Sequence, residues 1–154
     1  MPAVGALAPD FTLDTDAGAP LTLSALRGRP VVLYFYPKDD TSGCTTESCE
    51  FRDLIPRFEE IDAQVLGISP DPVKSHVKFR DKYSLNFPLL ADVEHAVAER
   101  YGVWQEKSMY GRKYWGNVRT TFVIDANGRI AHLFEKVKPA GHAAEVAAVV
   151  ASLV

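Results

Sequence analysis

The feature that most constrains this fold is an apolar run of six residues, 31–36 (Val-Val-Leu-Tyr-Phe-Tyr), with a proline on either side. Its β-branched and aromatic side chains favour a strand, and the lack of polar alternation predicts that both faces of this strand are buried. A sheet that is buried on both faces needs helices on each side of it. The run therefore predicts an α/β protein.

The rest of the chain alternates short apolar runs with helical stretches. Further strands are predicted at residues 65–69, 121–125 and 130–134, and helices at 45–63, 72–83, 94–101 and 143–153. The turn Ala126-Asn127-Gly128 makes the last two strands an antiparallel hairpin. Residues 11–13 and 21–23 are predicted to form an N-terminal β-hairpin. This order of elements predicts a thioredoxin-like fold, with a central mixed β-sheet flanked by helices.

Length and charge limit the classes of function. A chain of 154 residues predicts a single domain, residues 1–154. The formal net charge of -3 gives no basic footprint, so nucleic acid is not expected as a partner. The longest apolar runs have six residues, far short of the ~18 that a membrane span needs. Residues 1–5 also lack the pattern of a secretory signal, so we expect a cytoplasmic protein without membrane contact.

The two cysteines, Cys44 and Cys49, are the first candidates for function. In a reducing compartment a close cysteine pair is more often catalytic or metal-binding than structural. The four histidines are scattered and share no ligand spacing with the cysteines, so no zinc site is predicted. Thiol chemistry is the interpretation that remains.

Cys44 lies at a predicted strand-to-helix transition, after the loop 37–43. Ligands of open α/β sheets bind beyond the carboxyl ends of the strands. In a first helical turn, free backbone N–H groups and the positive end of the helix dipole stabilise a thiolate. Cys44 is therefore placed to be a nucleophile, although position alone also allows a small buried core residue.

Cys49 follows five residues later on the same predicted helix. In an intact α-helix this spacing puts the two Cα atoms about 8.6 Å apart on nearly opposite faces. A disulfide needs Cα atoms within ~7 Å. The two cysteines can pair only if the helix unwinds, which favours a transient disulfide over a static one. A core cysteine is the alternative for Cys49.

Pro56 lies inside this predicted helix. A proline there removes the hydrogen bond to the Arg52 carbonyl and disfavours helical geometry at Ile55, so a kink or break is expected near residue 55. The cysteines would then occupy a short helix, which is marginal without tertiary packing. Pro56 would confine local unfolding to residues 44–55. A proline that merely starts a second helix is the alternative.

The pattern Pro37-x-x-x-Thr41-x-x-Cys44 resembles the active-site signature of peroxiredoxins, which are thiol peroxidases of the thioredoxin fold. Together with Cys49, four further segments resemble the bacterioferritin comigratory protein, or peroxiredoxin Q, branch of that family. These segments are 101–104 (YGVW), 109–115 (MYGRKYW), 119–125 (RTTFVID) and 137–142 (VKPAGH). The resemblance covers nearly the whole chain. Ser42 departs from it, since many members have a proline there.

The resemblance implies a role for each matching residue. Cys44 would attack hydrogen peroxide or an organic hydroperoxide and become a sulfenic acid. Thr41 would hydrogen-bond the peroxide and the sulfur, Pro37 would shield the intermediate, and Arg119 would hold the thiolate and polarise the peroxide. Cys49 would resolve the sulfenic acid as a transient disulfide that thioredoxin or a similar dithiol reduces. The resemblance implies no cofactor and no metal, and it implies a monomer.

Two other functions stay open on the residues alone. A general thiol:disulfide oxidoreductase would use a Cys-x-x-Cys motif, which is absent, and would leave Thr41 and Arg119 without a purpose. The other is a non-catalytic thioredoxin-fold binding or chaperone protein.

Three acidic residues lie close to Cys44 in the sequence. Glu47 could join the hydrogen-bond network of Cys44, but a solvated acid in the first turn of a helix is the expectation. Asp39 and Asp40 are expected to form a solvated charged loop.

Overall fold

The computed structural model describes residues 1–154 and contains a seven-stranded sheet, a separate two-stranded sheet and four α-helices. The strands are β1 (Thr12–Thr15), β2 (Pro20–Thr22), β3 (Val31–Phe35), β4 (Gln64–Ser69), β5 (Leu89–Ala91), β6 (Trp104–Met109), β7 (Arg112–Asn117), β8 (Thr120–Ile124) and β9 (Ile130–Phe134). The helices are α1 (Ser42–Glu60), α2 (Val73–Tyr83), α3 (Ala96–Arg100) and α4 (His142–Ala151), and Leu23–Leu26 forms a 3-10 turn. None of the helices combines the length and apolar character needed to cross a membrane.

The large sheet has the strand order β2-β1-β5-β4-β3-β8-β9 and is mixed. Strands β3, β4 and β5 are parallel to one another, whereas β8 is antiparallel to β3 and β1 is antiparallel to β5. Because β3 lies between β4 and β8, every one of its residues is buried. The predicted thioredoxin-like fold is confirmed, including the β1–β2 hairpin and the β8–β9 hairpin.

The core divides into two clusters, one on each face of the sheet. The even-numbered residues of the run 31–36 pack into a cluster with α1 and α4, and this cluster contains Cys44. The odd-numbered residues pack into the other cluster, which includes Tyr101 and Phe122. The strand that the sequence marks most clearly therefore forms part of both cores.

Two parts of the fold were not predicted from the sequence. Strand β5 has only three residues, which is too short for a recognisable pattern. The β6–β7 hairpin is mostly exposed and polar, and its turn is Tyr110-Gly111, both with positive φ (52° and 78°). A hairpin turn of that kind is normally signalled by Asn-Gly or Asp-Gly.

Of the kink or break predicted near residue 55, the break does not occur. Helix α1 runs through Pro56 to Glu60. The Arg52 carbonyl, which has no N–H partner at position 56, accepts a hydrogen bond from Asn86 Nδ2 at 3.3 Å instead. Buried side chains before and after Pro56 also hold the helix on the core, so tertiary contacts override the local preference.

Candidate active site

Cys44 is the third residue of α1 and is completely buried. Helix α1 follows β3 after a short loop, so the predicted strand-to-helix transition is confirmed. Thr41, the residue before the helix, has extended backbone angles and makes no side-chain cap. The first N–H groups of the helix therefore keep their capacity to stabilise negative charge at the sulfur.

Arg119 is in direct contact with Cys44. Its Nη2 donates a hydrogen bond to the Cys44 sulfur at 3.3 Å, and its Nη1 donates one to Glu47 Oε1 at 2.8 Å. Arg119 immediately precedes β8, whose first residue is paired with the last residue of β3. The antiparallel pairing of β8 with β3 thus brings a cation from far along the chain to the sulfur.

Glu47 is fully buried, so the expectation of a solvated acid is wrong. Burial raises the pKa of this carboxyl to about 7, against the opposing effect of the Arg119 charge. Its Oε1 accepts from Arg119, while its Oε2 is buried without a hydrogen-bond partner. The position one turn after Cys44 was visible in the sequence, but the burial depends on the packing of α1 against the sheet.

The other two residues of the signature lie in the preceding loop. Thr41 is exposed, and its hydroxyl donates to the Lys38 carbonyl at 2.9 Å rather than to the Cys44 sulfur. Pro37 is half-buried and directly follows the last residue of the apolar run. The structure thus brings Arg119 into contact with the sulfur and places Thr41 beside the helix start.

Cys49 is half-buried, and both cysteines are free thiols. They lie on one uninterrupted helix, five residues apart. The helical geometry that keeps their Cα atoms about 8.6 Å apart therefore applies to the folded state. Disulfide formation between them requires part of α1 to unwind.

Asp39 anchors the loop before Cys44. It is buried, so the expectation that it is solvated is wrong. Its Oδ1 accepts a hydrogen bond from the Tyr36 hydroxyl at 2.6 Å, and its Oδ2 accepts one from Ser75 Oγ at 2.8 Å. His76 Nδ1 lies 2.7 Å from the same Oδ2. These contacts fix the loop to α2. Asp40 is exposed, as expected.

Lys107 is a site residue that sequence reasoning missed. It extends from β6, is half-buried, and donates a hydrogen bond from Nζ to the Asn117 carbonyl at 3.0 Å. Burial lowers the pKa of Lys107, and the Arg119 charge lowers it further, while Cys44 acts in the opposite direction. Because the β6–β7 hairpin carried no recognisable signal, nothing in the sequence placed this lysine near the cysteine.

Gly43 and His142 complete the surroundings. A Cβ atom at Gly43 would lie 3.1 Å from Arg119 Nη2 and 3.3 Å from Pro139 Cγ, so the close approach of the guanidinium favours glycine there. His142 is buried with Nε2 2.7 Å from Thr121 Oγ1. Burial, and then the Arg119 charge, lowers the pKa of His142 to about 4. His142 is therefore neutral at pH 7 and adds no charge to the site.

Comparison with known proteins shows the family. Residues 4–133 match the model of the AhpC/TSA family. The putative peroxiredoxin bcp of Coxiella burnetii is 52% identical over 143 residues, which cover 93% of this chain and 95% of that protein. Peroxiredoxin Bcp of Bacillus subtilis is 48% identical over 142 residues, covering 92% of this chain and 90% of that protein.

Solved structures that are similar to this chain come from the same branch of peroxiredoxins. The bacterioferritin comigratory protein of Xanthomonas campestris superimposes with a TM-score of 0.88 at 41% identity, over 92% of this chain and 90% of that one. A cysteine-to-serine mutant of Xylella fastidiosa PrxQ superimposes with a TM-score of 0.92 at 38% identity, over 97% and 96% of the two chains. The chain belongs to the AhpC/TSA family and, within it, to the Bcp or peroxiredoxin Q peroxiredoxins, which reduce peroxides at the expense of a thiol reductant.

Proposed function

We propose that Cys44 is the cysteine that attacks the peroxide. The observation that carries this proposal is the hydrogen bond from Arg119 Nη2 to the Cys44 sulfur at 3.3 Å, at the start of a helix. A guanidinium donor and the helix N-terminus both favour the thiolate over the thiol. Cys49 has neither feature, since it lies in the second turn of α1 and the nearby Arg52 donates to Asp53 and to the Tyr83 carbonyl.

Thr41 orients the peroxide. Its hydroxyl hydrogen is used in the bond to the Lys38 carbonyl, so its oxygen is left to accept a hydrogen bond. The O–H of a hydroperoxide is a suitable donor. Arg119 then lies on the side where negative charge develops, and Pro37, which has no N–H, borders the loop without competing for the substrate.

The first step oxidises Cys44 and reduces the peroxide. The thiolate sulfur attacks the hydroxyl oxygen of the peroxide, an S–O bond forms, and the O–O bond breaks. The electron pair leaves with the second oxygen, which takes up a proton to become water or an alcohol. Cys44 becomes a sulfenic acid. The Xanthomonas relative is described for its alkyl peroxide reduction activity, which supports organic hydroperoxides as well as hydrogen peroxide as substrates.

The second step joins Cys44 to Cys49. The Cys49 sulfur attacks the sulfenic sulfur, a disulfide forms and water leaves. Thioredoxin or a similar dithiol then reduces this disulfide and regenerates both thiols. Both cysteines come from one chain, so the scheme needs no second copy of the protein and a monomer suffices.

Serine replacements at the two cysteines test these roles. Cys44→Ser abolishes peroxide turnover and leaves the fold intact. Cys49→Ser still consumes about one equivalent of peroxide, fails to turn over with thioredoxin, and over-oxidises readily. Mass spectrometry of the oxidised protein should show a Cys44–Cys49 linkage. Substantial turnover by Cys44→Ser contradicts the first role, and the absence of that linkage contradicts the second.

A further inference from the structure

The Arg52 carbonyl is held from outside its own helix. Pro56 has no N–H to donate, so the helical hydrogen bond to this carbonyl is missing. Asn86 Nδ2 donates to it at 3.3 Å, from the loop that follows α2. Both the side chain of Asn86 and this hydrogen bond are exposed to solvent.

The Arg52 side chain is bound to the same part of the chain. Its Nη1 donates to the Tyr83 carbonyl at 2.6 Å, at the last residue of α2. Residue 52 is therefore attached through both its backbone and its side chain. Both attachments lie beyond Cys49 on α1.

The end of α2 also holds the loop before Cys44. Lys82 Nζ and the Tyr83 hydroxyl each donate to the Asp40 carboxylate at 2.8 Å. The segment that carries both cysteines thus lies between two attachments to the end of α2 and the loop after it. Of the two, the Asp40 attachment rests on a largely exposed ion pair, which salt weakens.

We propose that Asn86 is a positioning residue for the resolution step. Its hydrogen bond to the Arg52 carbonyl replaces the one that Pro56 removes, and it breaks when α1 unwinds through Arg52 to bring Cys49 to Cys44. This inference rests on the resolving role proposed for Cys49. A solvent-exposed side-chain bond competes with water, so it opens more easily than a helical bond closed by an N–H at position 56. Pro56 and Asn86 together keep α1 continuous while lowering the cost of unwinding it.

A double-mutant cycle at Asn86 and Pro56 tests this coupling. Loss of one exposed hydrogen bond in Asn86→Ala speeds disulfide formation about two- to fivefold. Pro56→Ala slows disulfide formation, because an alanine at this position supplies the missing N–H. In the Pro56→Ala background, Asn86→Ala has no effect, since the Arg52 carbonyl no longer needs an external donor. Peroxide attack on Cys44 keeps its rate constant in all three variants.

Two measurements are made on each variant of the double-mutant cycle. Stopped-flow kinetics separates peroxide attack from disulfide formation, and hydrogen exchange of the residue 45–50 amides in the reduced protein follows unwinding without any redox step. Hydrogen exchange should be faster in Asn86→Ala and slower in Pro56→Ala, as expected for disulfide formation. Asn127→Ala, at the exposed β8–β9 turn, is the matched control and changes neither measurement.

Two results overturn the inference. One is an Asn86→Ala variant whose disulfide formation and hydrogen exchange both equal those of the unmodified protein. The other is an Asn86→Ala effect of equal size in the unmodified and the Pro56→Ala backgrounds. If exchange follows the expected pattern while no Cys44–Cys49 linkage forms, the resolving role of Cys49 fails and the coupling between Asn86 and Pro56 stands.

Discussion

The two faces of strand β3 are equally buried but carry different groups. On one face Val31, Leu33 and Phe35 contribute only hydrocarbon to the core. On the other face Tyr34, and Tyr36 directly after the strand, are also fully buried, yet each hydroxyl is hydrogen-bonded. The β3 side chains on the first face need only close packing, whereas those on the second face also need hydrogen-bond partners for their hydroxyl groups.

The polar groups of the second face lead to the active site. The Tyr34 hydroxyl lies 2.8 Å from Ser48 Oγ on α1, and the Tyr36 hydroxyl donates to Asp39 in the loop before Cys44. These two bonds tie the cysteine helix and its loop to the sheet. Burial on one side of β3 therefore stabilises the fold, whereas burial on the other side also positions the helix and loop around Cys44.

Phe35→Ala should have the largest effect, on the apolar face. Phe35 is fully buried and packs against Tyr101 and Phe122. Its truncation should lower the free energy of unfolding by about 3–5 kcal/mol, as measured by urea denaturation. The rate constant of peroxide attack per folded molecule should stay unchanged. A tenfold slower attack in the folded variant would show that the two faces are not separable, and Phe35→Leu supplies a milder variant for that measurement.

Arg119→Met should have the next largest effect, on the active-site face. It removes the donor to the Cys44 sulfur and, in the proposed mechanism, the group that stabilises charge on the departing oxygen, so peroxide attack should slow by about 10²–10³-fold. Stopped-flow kinetics across a pH range should show that the loss persists at high pH, where the thiolate forms without help. Full recovery at high pH would reduce the role of Arg119 to thiolate stabilisation. Arg29→Met, on the surface, is the control.

The sequence predicted the apolar strand, the order of elements and the position of Cys44 at a helix start, because these depend on local patterns. The role proposed for Arg119 came from a family resemblance, since no local pattern relates it to a cysteine 75 positions away. Glu47 was misjudged because the predicted helix start at residue 45 put it in a first turn, which is usually solvated, whereas α1 begins at Ser42 and Glu47 lies in its second turn. Its burial is set by how α1 packs, which is a tertiary property. Lys107 was missed together with the hairpin that carries it.

Glu47→Gln should change how stability depends on pH. Burial raises the Glu47 pKa from 4.5 to about 7. Between these two pH values the carboxyl is protonated in the native state and ionised in the unfolded state. Stability from this group is therefore present below pH 4.5 and is lost as pH rises through 7. The free energy of unfolding that is lost between pH 5 and pH 8, measured by urea denaturation, should be about 1–3 kcal/mol smaller in Glu47→Gln. An unchanged difference would argue against a protonated buried carboxyl, and Glu59→Gln, exposed on the same helix, is the control.

Tyr34→Phe should give the smallest effect and the sharpest comparison of the two faces. Tyr34 and Ser48 are both completely buried, and their side-chain oxygens are 2.8 Å apart. Removing the hydroxyl leaves Ser48 Oγ without its partner and should cost about 1 kcal/mol of unfolding free energy. Because Ser48 directly precedes Cys49, unwinding α1 breaks this contact. The variant should therefore form the Cys44–Cys49 disulfide several-fold faster.

Tyr101→Phe is the matched variant on the apolar face. The Tyr101 hydroxyl donates to the Pro9 carbonyl at 2.6 Å, far from α1 in the fold's other core cluster. It should lose a similar amount of stability, again about 1 kcal/mol, with no change in disulfide formation. If both variants form the Cys44–Cys49 disulfide equally faster, the rate of disulfide formation depends on global stability and not on the Tyr34–Ser48 contact between β3 and α1. If only Tyr34→Phe does so, the bond between the Tyr34 hydroxyl of β3 and Ser48 sets how readily the cysteine helix opens.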